Sequence, residues 1–136
     1  MPAAFFPLLR LLCVVICLSL VTGCADPKQR AAELVRRNDV TRLRRDAALL
    51  YKDLFAGHGE KFFAVRSKSW PKSFKAFSPI RVGAYRDGIS LALEASSAAE
   101  SGLYIIPWQM DVVPSTNRGA QFQQLAEGVY WYSFGD

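Results

Sequence analysis

The sequence predicts an α+β fold. An N-terminal helical segment over about residues 28–55 packs on a four-stranded, mainly antiparallel β-meander over about residues 80–134. Three observations carry this. Val40, Leu43, Ala47, Leu50 and Leu54 recur at alternating spacings of three and four, which is one apolar stripe on a helix. Asp87-Gly88 interrupts two alternating apolar runs, as a hairpin turn does. The run Val129, Tyr130, Trp131, Tyr132 ends near Phe134 and has strand composition. At 136 residues the chain has room for one domain, and 51% apolar against 21% charged residues excludes a disordered one.

Within the helical segment, Asn38-Asp39 breaks the pattern. Asp39 suits the cap of a second helix, with residues 28–37 forming a shorter first one. Gly57-His58-Gly59 is expected to end the second. Residues 60–79 read as irregular, with one or two helical turns after Trp70-Pro71 and a stop at Pro79. A two-residue Asp87-Gly88 turn of the I′ kind pairs Ala84 with Leu91, Val82 with Leu93 and Ile80 with Ala95 on one apolar face. On the other face it pairs Arg81 with Glu94, as a cross-strand ion pair, and Tyr85 with Ser90. Residues 97–101 form a polar turn. Residues 103–106 make a third strand that Pro107 stops, and residues 128–134 make a fourth. Residues 107–127, with Pro114, Asn117 and Gly119, read as a long connection.

The first 23 residues are of another material. Residues 11–22 are almost wholly apolar. Twelve residues of helix rise roughly 18 Å, short of the about 20 residues that a bilayer core needs and right for a secretory h-region. The run ends at Val21-Thr22-Gly23-Cys24, which resembles a bacterial lipobox: a branched apolar residue, a small one, a glycine and the cysteine to be acylated. The resemblance covers the first 24 residues alone and is to bacterial lipoproteins as a class. It implies diacylglycerol on the Cys24 thiol, cleavage after Gly23, and a domain of residues 24–136 on a short tether. Ala25, not Asp, follows the cysteine, which by the same resemblance favours the outer membrane facing the periplasm. The inner membrane, or the outer face of a single plasma membrane, is the alternative. Arg10 is the only basic residue ahead of the run. An uncleaved anchor helix from Phe5 to Thr22 is the competing reading, and Pro7 and Arg10 interrupt it.

Cleavage would remove Cys13 and Cys17 and leave Cys24 as the sole cysteine, consumed by acylation. The rest is polarised in charge. Residues 28–75 hold 13 basic and 5 acidic side chains; residues 76–136 hold 3 basic and 6 acidic. Arg36, Arg37, Arg42, Arg44 and Arg45 form a candidate contact for anionic lipid headgroups or an anionic envelope polymer. A solvated helix face, with Asp39, Asp46 and Asp53 as local partners, is the plainer account of them. Nucleic acid is not an expected partner of an exported protein.

Catalytic chemistry is hard to find in the chain. His58, the only histidine, sits between two glycines and reads as a loop residue. No phosphate-binding glycine loop or nucleophile elbow is present, and no metal or cofactor is expected. Glu94 and Glu100 are the carboxylates nearest the sheet edge. Tyr85, Tyr104, Trp108, Tyr130 and Tyr132 are the candidate binding patch, with Tyr130 and Tyr132 on one face of the last strand and Trp131 on the other. Both sheet faces being covered, one by the helix and one by residues 107–127, is the plainer account of the same aromatics. The expected function is a non-catalytic binding or accessory module, lipid-anchored in a bacterial envelope and engaging an envelope protein or polymer. A small envelope-acting hydrolase, or a structural or stress-related lipoprotein without a defined ligand, is the alternative.

Overall fold

The computed structural model describes residues 26–56, 62–114 and 119–135. Gly57-His58-Gly59 and the lipobox therefore lie outside the described residues. Two helices open the described chain, α1 (Pro27–Arg37) and α2 (Val40–Phe55). Each starts on an aspartate. The Asp26 carboxylate accepts the Lys28 N–H at 3.2 Å, and the Asp39 carboxylate accepts the Arg42 N–H at 3.1 Å. Asn38 ends α1 extended at ψ 156°, so the chain turns there and the second helix begins where Asp39 can cap it.

The expected α+β class holds, and the sheet has six strands where the sequence predicts four. They are β1 (Phe62–Val65), β2 (Arg81–Tyr85), β3 (Gly88–Ala95), β4 (Glu100–Ile105), β5 (Gln121–Ala126) and β6 (Val129–Phe134). Their order is β1-β2-β3-β4-β6-β5, and every neighbouring pair is antiparallel. The chain thus meanders to β4, passes out to the edge as β5, and folds back as β6 between β5 and β4. One turn of helix, α3 (Lys72–Lys75), follows Trp70-Pro71.

Both missed strands are edges. Strand β1 has only Phe63 and Val65 turned inward, two anchors in four residues. Strand β5 carries Gln121, Gln123 and Gln124, all exposed, so its apolar alternation is diluted. A polar edge also discourages pairing with another chain.

The β2–β3 hairpin corrects the expected register. Tyr85 pairs with Gly88, Ala84 with Ile89, Val82 with Leu91 and Arg81 with Ala92, a shift of two residues from the predicted pairs. The loop is Arg86-Asp87, neither residue has positive φ, and the turn is not of the I′ kind. Gly88 has a different purpose. A Cβ there would collide with the Tyr104 ring, so the glycine lets β4 carry a tyrosine directly beside the turn. Because the shift is even, side chains from Arg81 to Leu93 keep their predicted faces, but a β-bulge between Ala92 and Glu94 sets Glu94 opposite Ser101 and Ala95 opposite Glu100, the reverse of their predicted faces.

The core lies between sheet and helices. Val82, Ala84, Ile89, Leu91, Leu103, Ile105 and Val129 are at most 2% exposed on the inner face. Against them stand Ala31 and Val35 of α1, Leu43, Ala47 and Leu50 of α2, and Phe74 of α3. Helix α1 lies over β4 and β5, and α2 lies over β3 and β4. Ser73 donates to Asp46 at 2.6 Å and ties α3 to α2. Burying each large apolar side chain stabilises the fold by about 1.5–3 kcal/mol before entropy is counted. Trp131 joins this core, as its parity with Val129 requires.

Candidate functional site

The outer face of the sheet is built differently. Parity places Tyr85 of β2, Ser90 of β3, Glu100 and Tyr104 of β4, Phe122 of β5, and Tyr130, Tyr132 and Phe134 of β6 on it together. Phe62 of β1 continues the row, with its ring centroid 4.8 Å from that of Tyr85. Tyr85 lies 6.2 Å from Tyr104, Tyr104 lies 5.3 Å edge-on to Phe122, and Tyr132 lies 6.2 Å edge-on to Tyr104. These are ordinary aromatic packing geometries.

Polar groups are threaded among the rings and satisfy one another. The Tyr132 hydroxyl donates to Glu100 Oε1 at 2.6 Å. The other Glu100 oxygen meets the guanidinium of Arg81. The Tyr104 hydroxyl donates to Asp87. Glu100 is only 6% exposed, whereas the Arg81 side chain is 63% exposed, so the pair joins a buried carboxylate to a cation at the rim. Removing the partner of such a buried charge is costly. Burial first, and the Tyr85 phenol second, push the Tyr132 pKa well above its ordinary 10, against the opposing effects of Arg81 and a hydrogen bond with Ser90. Tyr132 is therefore a fixed neutral donor at physiological pH.

A cavity of about 150 Å³ opens among these residues, lined by Tyr85, Asp87, Ser90, Glu100, Tyr104, Ala120, Phe122, Tyr132 and Phe134. Its wall is mainly aromatic, with two carboxylates.

The sequence-predicted patch is therefore brought together in part. Tyr85, Tyr104, Tyr130 and Tyr132 share the outer face, and Tyr104 sits opposite Tyr130 in the β4–β6 ladder. They do not form an exposed strip: Tyr104 is 4% and Tyr132 is 3% exposed. Trp108 stands apart. Its backbone N–H donates to the Arg44 carbonyl at 3.0 Å, and its ring lies under Arg44 and Arg45, at 5.3 and 5.5 Å from their guanidinium carbons.

Arg44 corrects the reading of the basic face. It is 6% exposed and does not face solvent. Its Nε donates to the Ile106 carbonyl at 3.0 Å, and its Nη1 lies 3.2 Å from Glu127. The guanidinium rests on Gly128, whose φ of +68° and missing Cβ both make room for it. Arg44 is thus a tie between α2, the end of β4 and the β5–β6 turn. Arg36, Arg37, Arg42 and Arg45 are exposed. The first two pair with Glu33, at 3.5 and 2.9 Å. The predicted Arg81–Glu94 pair is replaced by Arg81–Glu100, because the register opposes Arg81 to Ala92.

Glu100, Asp87 and Arg81 are the site residues that sequence reasoning missed as a group. One signal was available: Glu100, Gly102 and Tyr104 alternate, so a strand placing Tyr104 outward also places Glu100 outward. Among the described residues, no group of three or more His, Cys, Asp or Glu side chains is arranged to hold a metal ion. No helix among them is long and apolar enough to cross a membrane. No protein-family model matches the chain, and no curated protein or solved structure is significantly similar to it.

Proposed function

We propose that the chain is an exported, lipid-anchored module of a bacterial envelope, which binds a ligand on the outer face of its sheet without transforming it. The anchor half rests on Val21-Thr22-Gly23-Cys24 directly after an apolar run. Two or more acyl chains at about 0.8 kcal/mol per buried methylene hold a protein stably at a surface. Asp26 already caps α1, so two residues separate Cys24 from the first helical residue, Pro27, at most about 11 Å of chain. An acylated Cys24 would hold the Pro27 end of α1 against the headgroups, with Lys28 and Arg30 beside them. Arg36, Arg37, Arg42 and Arg45 remain for an anionic lipid or polymer surface, each worth up to about 1 kcal/mol near it. The outer membrane, facing the periplasm, is the proposed location.

The observation that carries the binding half is the cavity of the outer face, whose carboxylates are already engaged. Glu100 accepts from Tyr132 and pairs with Arg81, and Asp87 accepts from Tyr104. Such groups position and attract; neither stands free to shuttle a proton as a hydrolase acid or base must. This favours the binding module over the small hydrolase.

The anchor is tested by labelled palmitate in cells. Label on the natural chain and none on Cys24→Ser, with release of the variant from membranes, is expected. Equal labelling of both would overturn the anchor. The binding half is tested by crosslinking in cells from a photoreactive residue at position 85. An adduct at the outer face is expected, and adducts equally frequent from exposed Leu49 on α2 would remove the outer face as the binding surface.

A further inference from the structure

We propose that the outer-face cavity takes a small organic ammonium headgroup of trimethylammonium size, held among the rings of Tyr85, Tyr104, Phe122 and Tyr132 and by the negative charge of Asp87 and Glu100. The assignment deepens the reading of this face as a binding surface and is independent of the anchor at Cys24.

Size comes first. A volume of about 150 Å³ is lined by these side chains. An apolar void of roughly that volume holds one benzene molecule, and sites for whole drug-sized ligands start at about 300 Å³. The cavity therefore accepts a headgroup of a few heavy atoms, with the remainder of the ligand outside.

The wall decides the chemistry. Tyr85, Tyr104, Phe122 and Tyr132 line one volume, and their centroids are spaced 5.3 to 6.2 Å along the row. A cation within about 6 Å of several ring faces is attracted by each quadrupole, most strongly where water is excluded. Two of the four rings are enriched further, because their hydroxyls donate to carboxylates: Tyr104 to Asp87 and Tyr132 to Glu100. Electron density drawn toward such a phenol raises the negative potential of its face.

Charge points the same way. Two carboxylates, and no lysine or arginine among the described residues, line the cavity; Arg81, which pairs with Glu100, has a side chain 63% exposed to screening water. An anion would meet these carboxylates without a dedicated donor. A sugar would find the Tyr104 and Tyr132 hydroxyls already committed. A quaternary ammonium needs no hydrogen bond and suits a wall of rings and carboxylates.

The test uses the full chain in a maltoside detergent, which has no ammonium group, and titrates choline and tetramethylammonium by calorimetry. The neutral isostere 3,3-dimethylbutan-1-ol is the control, at matched ionic strength. Saturable binding of both cations at millimolar concentrations or below is expected, with the alcohol about tenfold weaker. Phe122→Leu and Asp87→Asn should each weaken choline about fivefold, while Trp108→Leu, outside the cavity, should leave it unchanged. Thermal melts verify that each variant is folded. Magnetisation transfer from choline methyl protons to aromatic ring protons reads the site without any substitution. Competition by phosphatidylcholine vesicles would assign the headgroup to a lipid, and absence of competition would assign it to a free solute. Equal affinity for the alcohol, an equal effect of Trp108→Leu, or no saturation up to about 100 mM would each overturn the proposal. Palmitate labelling at Cys24 is unaffected by any of these outcomes, so failure of the headgroup site and failure of the anchor are distinguishable.

Discussion

The two faces of the sheet share one backbone and differ in what they bury. The inner face is aliphatic, and its residues, from Val82 to Val129, are closed off by three helices. The outer face is aromatic and polar, with Tyr104, Tyr132, Ser90 and Glu100 buried among one another. The first holds by non-directional burial, to which every methylene adds. The second depends on partners: each buried hydroxyl or carboxylate is stable only while its counterpart is in place. A face of the first kind makes a fold. A face of the second kind fixes the positions of charges and rings, which is what a binding site requires.

Substitutions should separate the two faces by magnitude and by chemistry. The largest effect belongs inside. Leu103 is 0% exposed, and Leu103→Ala is expected to cost about 2–5 kcal/mol in urea denaturation, from lost transfer energy and the cavity left behind. Tyr132→Phe removes one oxygen on the outer face and leaves Glu100 Oε1 without its donor. A loss of about 1–3 kcal/mol is expected, far more than an isosteric change costs in the inner core. A loss below the error of the measurement would show that the outer network is dispensable.

The same residue gives the outer face a pH dependence. The folded-state pKa of Tyr132 is raised above its unfolded value near 10, mainly by burial. Between those two values the folded protein holds a proton that the unfolded chain has released. The stability is therefore fully present below about pH 10 and lost above it, by up to about 1.4 kcal/mol per pH unit. Denaturation at pH 9, 10 and 11 should show this slope in the natural protein and a shallower one in Tyr132→Phe. Equal slopes would mean that the phenol is solvated.

Smaller effects calibrate the comparison. Tyr104→Phe also deletes a hydroxyl from the outer face, but its acceptor Asp87 is half-exposed and water can replace the donor. A cost under about 1 kcal/mol is expected, well below that of Tyr132→Phe. Arg37→Ala breaks an exposed pair with Glu33 and should change stability by less than about 0.5 kcal/mol, away from both faces.

Legibility followed the same division. The helix stripe was readable because Leu43, Ala47 and Leu50 must all point one way, and the Asp39 cap is a local bond between near neighbours. The inner face of β2 and β3 was readable although the pairing was not, since an even slip leaves parity intact. The edge strands β1 and β5 were not readable, because an edge needs few inward side chains and tolerates polar ones. Arg44 looked like its exposed neighbour Arg45. Nothing local distinguishes two adjacent arginines; burial was decided by Ile106, Glu127 and Gly128, which lie far along the chain.

The sequence by itself determined the helix break at Asn38-Asp39, the inward positions of β2 and most of β3, the polarity of charge and the signal-like composition of the first segment, since each depends on spacing or composition within a short window. Tertiary structure alone decided the strand order, the partner of Arg81, the burial of Arg44 and the joining of Tyr85, Tyr104, Phe122, Tyr132 and Glu100 around one cavity. Those features rest on contacts between residues tens of positions apart, and a residue's own neighbours in the chain carry no record of which distant side chain will meet it.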